Sequence, residues 1–197
     1  MRKLKVAVIG CGAISGMHLE AICALKCTEL TAVCDIREER ACEVSNQYGG
    51  KVYTDYKVMF EKEELDAVHI CLPHYLHTVV AMEAFKQGIH VLSEKPMSIR
   101  YEDAVEAVEL AEKCGVQYGI IFQCRYNTPA IHVKKRIADG RLGKVQCARV
   151  VLTSIVRMSI TVVLTGRVPG TRKAAVLSST RPFIPLIWPT GLLMMSR

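Results

Sequence analysis

Gly10-Cys11-Gly12-Ala13-Ile14-Ser15-Gly16 decides the fold, because of what stands on either side of it. Lys5-Val-Ala-Val-Ile9 runs straight into it, a short β-branched apolar run that reads as a buried strand. A helix from about Ala13 to Lys26 is predicted to leave it. The first glycine permits a tight turn at the end of a strand, and the second lets a ligand approach the backbone where a Cβ would stand. The helix N-terminus that follows offers free N–H groups and positive potential to an anion. Ser15 takes the third small-residue position, where close packing of helix on strand is needed. Such a GxGxxS string alone is weak. Between the first strand and first helix of a βαβ unit it is a dinucleotide fingerprint, with Gly10, Gly12, Ala13 and Ile14 against the pyrophosphate.

Outward from this loop the same alternation repeats. Leu30–Cys34 reads as the second strand and Arg37–Tyr48 as a charged helix. Asp66–Cys71 and His90–Leu92 are further strands around a helix near Leu76–Gln87, and a helix over Tyr101–Cys114 leads to the strand Gln117–Ile121. Near-continuously apolar strands, each followed by a helix, specify a parallel sheet covered on both faces. The fold class is therefore α/β, a doubly wound parallel sheet of Rossmann type over residues 1–122. A helix over Pro129–Asp139, ending at Gly140, and an alternating strand Lys144–Leu152 then begin a second sheet.

Asp35 supplies the second half of the fingerprint. It ends the second strand, where a carboxylate can accept hydrogen bonds from both hydroxyls of a ribose and repel a 2′-phosphate. That favours NAD, while Arg37, able to accommodate a 2′-phosphate, keeps NADP open. The competing reading of Asp35 is an ordinary N-cap ahead of the helix that starts at Arg37.

Net charge is +7, which suggests nucleic acid until its position is considered. Residues 154–197 hold six basic side chains and no acidic one, leaving 20 basic against 19 acidic residues before them. A nearly neutral body offers no basic face to a phosphate backbone. All nine cysteines precede position 150 without a CxxC pair, and the count is odd. Buried free thiols in a reducing cytosol are expected rather than a disulfide or zinc framework. His74 and His77 with Cys71 hint at a metal, but no fourth ligand accompanies them and none is assigned. The chain enters its first strand without a targeting segment, and the apolar stretch Phe183–Met195 is too short and too proline-broken to span a bilayer. A cytoplasmic protein is expected.

Four later stretches narrow the class. They are Asp66-Ala-Val-His-Ile-Cys-Leu-Pro73-His74-Tyr-Leu-His77, Val91-Leu-Ser-Glu94-Lys95-Pro96, Phe122-Gln123-Cys-Arg125-Tyr126-Asn127 and Gly140-Arg-Leu-Gly143-Lys144. In order and spacing they resemble the glucose–fructose oxidoreductase and inositol dehydrogenase family over residues 1 to about 153. The resemblance implies hydride transfer between a nicotinamide and a secondary alcohol of a sugar or cyclitol, in a homo-oligomer when the chain is complete. Lys95 would be the catalytic lysine that holds the substrate hydroxyl, a role that suits a partly buried lysine because desolvation eases loss of its proton. Glu94 would face the nicotinamide ribose, and Pro96 would fix the turn. Pro73 and His77 would line the nicotinamide half, and Gln123 would sit at the domain junction. Residues 123–153 would begin the α+β substrate domain. His18, His69 and His90 read as structural. A non-catalytic dinucleotide-binding or regulatory module is the alternative, but it would have no need of a poised lysine.

The family's substrate domain carries an Asp-x-x-x-His-x-x-Asp run whose histidine partners the lysine, and nothing like it follows Thr153. Residues 154–197 instead hold four of the seven prolines and no periodicity. Read one base earlier, codons straddling Arg172 to Val176 can give Glu-Gly-Gly-Gly. Those straddling Ser179 to Trp188 can give Asp-Gln-Ala-Ile-His-Thr-Ile-Asp-Leu, and Met194-Met195 forces an Asp. The tail is therefore read as out of frame after a one-base slip near Thr153–Ile155, against the alternative of a genuine variable terminus. A chain of this kind would be a truncated form, inactive because the histidine and most of the substrate sheet are lost.

Overall fold

The structure is a computed structural model that describes residues 2–147. Its elements run β1 (Leu4–Ile9), α1 (Ser15–Ala24), β2 (Thr28–Cys34), α2 (Glu38–Tyr48), β3 (Lys51–Tyr53) and α3 (Tyr56–Lys62). They continue with β4 (Ala67–Ile70), α4 (His77–Lys86), β5 (His90–Ser93), α5 (Tyr101–Cys114) and β6 (Tyr118–Ile120). The six strands form one sheet in the order β3-β2-β1-β4-β5-β6, and every pairing is parallel. The order in which strands are added switches sides between β1 and β4, so a crevice opens beyond their carboxyl ends, where open α/β sheets hold their ligands.

Strand alternation divides the interior into two layers. Val6 and Val8 of β1 pack with Leu19, Ile22, Val33 and Ala41 beneath α1 and α2. Ala7 and Ile9 point the other way, into a larger cluster with Val68, Ile70, Val80, Phe85 and Val91 beneath α4 and α5. Phe85 is wholly buried and meets the Tyr118 ring edge-on at 5.0 Å between centroids. Truncating a ring so placed costs about 3–5 kcal/mol.

β3 and α3 are additional to the elements legible in the sequence. Three residues are too few to show a strand period, and α3 spans 7. Its start is nevertheless signalled by Asp55, whose side chain accepts the Lys57 N–H as an N-cap.

The chain divides into two compact units between Phe122 and Gln123. In the second, a 3₁₀ turn over Gln123–Tyr126 precedes α6 (Thr128–Ala138), which carries a proline in its first turn. Of the strand expected over 144–152, residues 144–147 form none, and the remainder lies outside the described residues. A strand needs a partner to close its hydrogen-bond ladder, and these four residues have none among the described ones. The tail over 154–197 also lies outside them.

Candidate functional site

The loop after β1 is built almost entirely from backbone. Gly10 takes φ 95° and donates its N–H to Cys34 O at 2.7 Å. A Cβ there would stand 2.8 Å from the Cys71 carbonyl carbon and closer still to its oxygen, so glycine is required by the fold itself. Gly12 differs: a Cβ would meet nothing within 4 Å. Its lack of a side chain serves whatever comes to the loop from outside. Ser15 is buried and closes the loop by donating its hydroxyl to Gly12 O at 2.7 Å. α1 begins with its Ser15 N–H on Gly12 O at 3.1 Å but without a side-chain cap or an acidic residue in its first turn, so no side chain competes with an anion for its N-terminus.

Asp35 ties this loop to the end of β2. Its Oδ2 accepts the Cys11 N–H at 2.8 Å and its Oδ1 accepts the Arg37 N–H at 2.9 Å. It is not the cap of α2, whose N-cap is Arg37. Both oxygens keep lone pairs for further donors. Ala13, Ile14 and Arg37 are exposed around it.

At the ends of β4 and β5, side chains do the holding. His77, expected to line this end of the site, has no exposed surface at all. Its two ring nitrogens lie 2.7 Å from the carbonyl oxygens of Leu72 and Pro96, so it joins the turn after β4 to the turn after β5. It shapes the site from beneath. Pro73 is exposed at the start of the first of these turns. The Lys95–Pro96 bond is cis. Glu94 is 8% exposed, and its Oε1 lies 3.2 Å from His18 Nε2 while Oε2 accepts the Lys95 N–H at 3.3 Å. His18 Nδ1 in turn lies 3.0 Å from His69 Nδ1. Burial, then the neighbouring His18, pushes His69 down to about 4, and His74 is lowered by burial, then by His77 and Lys95. Lys95 itself is exposed in this unit, not partly buried as expected.

Three buried thiols lie beneath the crevice. Burial, reinforced by Asp35, pushes Cys11 up to about 12; burial and Cys11 do the same to Cys34, and Cys71 rises too. Such thiols are poor nucleophiles. All nine cysteines are free, and no group of three or more His, Cys, Asp or Glu among the described residues is placed to hold a metal. No helix among them is long and apolar enough to cross a membrane. Gln123 opens the second unit and is exposed there.

The strand order, the open face of Gly12, the uncapped start of α1 and the Asp35 carboxylate together define a dinucleotide-binding protein. Residues 4–122 match the family model of the Gfo/Idh/MocA oxidoreductases, described as an oxidoreductase family with an NAD-binding Rossmann fold, and the chain belongs to that family. Its cofactor is a nicotinamide dinucleotide. The chain is 33% identical over 147 residues to D-glucoside 3-dehydrogenase of Escherichia coli, covering 72% of this chain and 41% of that enzyme. It is 28% identical to myo-inositol 2-dehydrogenase of Thermotoga maritima, covering 75% and 44%. Among solved structures it resembles the WlbA dehydrogenase of Bordetella pertussis in complex with NADH and UDP-GlcNAcA. The TM-score there is 0.70 at 33% identity, over 73% of this chain and 44% of that one. A 3-ketoreductase of Actinomadura kijaniata in complex with TDP-benzene and NADP gives 0.68 at 29% identity, over 74% and 45%. The chain thus spans less than half the length of these relatives.

One contact escaped the sequence: His18, read there as structural, is buried with its Nε2 3.2 Å from Glu94 Oε1, and His69, read likewise, meets its other nitrogen. The available signal was His69 itself, a polar residue alternating with Val68 and Ile70 in a buried strand.

Proposed function

We propose that this chain is the cofactor-binding half of an oxidoreductase that moves hydride between NAD and a secondary alcohol of a sugar or cyclitol. The observation that carries the reading is the convergence of the Gly10–Ile14 loop, Asp35 and the Glu94-Lys95-Pro96 turn at the carboxyl ends of one parallel sheet. Gly12, Ala13 and Ile14 lie against the pyrophosphate, with the start of α1 facing its charge. Asp35 accepts from the adenosine ribose and favours NAD, with Arg37 leaving NADP as the second possibility. Pro73 and Glu94 border the nicotinamide half, which His77 supports from below. The bound nicotinamide supplies a hydride acceptor or donor. Lys95, exposed and adjacent to Glu94, holds the substrate hydroxyl and takes up or returns its proton. A lysine presented from the Glu94-Lys95-Pro96 turn favours this reading over a binding-only module. Gln123 and the segment to 153 belong to the substrate side of the complete enzyme, which is a homo-oligomer of the cytoplasm.

The composition of residues 154–197 supports the out-of-frame reading of the tail, and with it the inactivity of the 197-residue chain. Resequencing the gene from codon 145 onward tests it. A missing base near codon 154 restores the acid–base histidine, and the restored protein should oxidise a sugar or inositol with NAD. Replacing Lys95 by Met in that protein should then cut kcat by at least about a hundredfold with NAD affinity intact. A Lys95→Met enzyme of ordinary kcat removes the lysine from the mechanism.

A further inference from the structure

Two imidazoles, His18 buried and His69 half-buried, occupy a layer that the strand pattern reserves for apolar side chains. Val68 and Ile70 of β4 belong to the layer under α4 and α5, so His69 between them faces α1. The neighbours on that side are Val6, Val8, Leu19 and Ile22. His18, on the inner face of α1 and 5% exposed, meets His69 edge-on with ring centroids 5.2 Å apart and Nδ1 to Nδ1 at 3.0 Å. Placing polar rings in such a layer is costly unless the nitrogens turned inward have partners. The far nitrogen of His18 finds one in Glu94 Oε1 at 3.2 Å, and the other oxygen of Glu94 accepts the Lys95 N–H.

A carboxylate only accepts, so His18 Nε2 carries the proton in that bond. Burial keeps His69 neutral at ordinary pH. If His18 is neutral, His69 Nδ1–H donates to His18 Nδ1; if His18 is protonated, the direction reverses. Glu94 is gripped either way. The line of contacts runs His69, His18, Glu94, Lys95 backbone, out of the sheet interior and into the turn that presents the lysine. The same logic operates wherever a buried group fixes an imidazole that orients the next residue.

We propose that His18 and His69 are positioning residues for the Glu-Lys-Pro turn, setting the Glu94 carboxylate and the Lys95 backbone from within the first βαβ unit. The inference rests on the reading of that turn as the nicotinamide end of the site. It is distinct from the phosphate loop, which needs neither imidazole.

The experiment uses the isotope-labelled full chain without cofactor, in wild-type, His18→Leu and His18→Gln forms. The amide resonance of Lys95, which reports its bond to Glu94, should move in His18→Leu, while those of Gly12 and Ala13 stay in place. His18→Gln, whose side-chain amide can still donate to Glu94, should return the Lys95 resonance most of the way and also serves if the leucine form does not fold. A Lys95 amide unmoved in His18→Leu, or moved equally in both variants, overturns the proposal. Ligand titration followed by the same spectra then separates this from the reading beneath it. His18→Leu should weaken NADH about tenfold and leave ADP unchanged, as expected for losing one hydrogen bond to a charged group at one end only. Equal weakening of NADH and ADP means a scaffold role and sinks the proposal. A wild-type chain that binds neither nucleotide sinks the cofactor reading, while the Lys95 resonance still decides the positioning.

Discussion

The two ends of the crevice are held by opposite means. At the end of β1 and β2 the loop is fixed by backbone groups and two short side chains: Gly10 N–H on Cys34 O, Cys11 N–H on the Asp35 carboxylate, the Ser15 hydroxyl on Gly12 O. At the end of β4 and β5 it is fixed by imidazoles, His77 between two carbonyls and His18 with His69 behind Glu94. Backbone N–H and C=O groups do not titrate, whereas holding His69 neutral by burial costs stability once the imidazole of the unfolded chain takes up a proton. One end of the site should therefore tolerate mild acid, and the other should respond to it.

The largest expected effect breaks the backbone end. Gly10→Ala places a methyl against the Cys71 carbonyl at a φ that L-residues avoid, and should cost about 3 kcal/mol or more, read as loss of the cooperative melt. The imidazole end has its counterpart in His77→Leu. Two carbonyls 2.7 Å from the ring nitrogens lose the imidazole packed between them, at least one of them losing its donor, and denaturant unfolding should show a loss of about 2–3 kcal/mol. If that variant is as stable as wild type, the clamp between the two turns is not holding them.

Acid sharpens the contrast. His69 is held at about 4 in the folded chain against the ordinary histidine value of 6.5, so between these values the unfolded chain binds a proton that the native one does not. Stability should be complete above pH 6.5 and fall as pH drops towards 4, by roughly 2–3 kcal/mol. His69→Leu should flatten that slope over the same window. A wild-type stability that rises on acidification would contradict the assignment.

Smaller effects on folding, though not on binding, are expected at the loop. Gly12→Ala has free space for its methyl within the protein and should fold with a change within about 0.5 kcal/mol. Its NAD affinity should nevertheless fall about tenfold or more. Equal affinity in the alanine form would show that no ligand approaches this position. Asp35→Ser should have the mildest effect, shifting the NAD-to-NADP affinity ratio towards NADP by about tenfold in paired titrations.

Sequence by itself determined the doubly wound parallel fold and the family, because both are written in local order. Apolar strands alternate with amphipathic helices, the glycine loop sits between the first of each, and Asp35 ends the second strand. Short range also explains what it missed: β3 and α3 hold too few residues to show a period. Only the tertiary structure decided the functions of the histidines. It took His77 off the lining of the site and put it beneath two turns, against the Pro96 carbonyl 19 residues away in sequence. It also joined His18 to Glu94 across 76 residues. Neither pairing leaves a local mark, since a buried imidazole and a ligand-facing one look alike until the chain has packed. The two glycines make the same point. They carry the same letter in one motif, yet one is required by the Cys71 carbonyl and the other faces open space, and packing alone separates them.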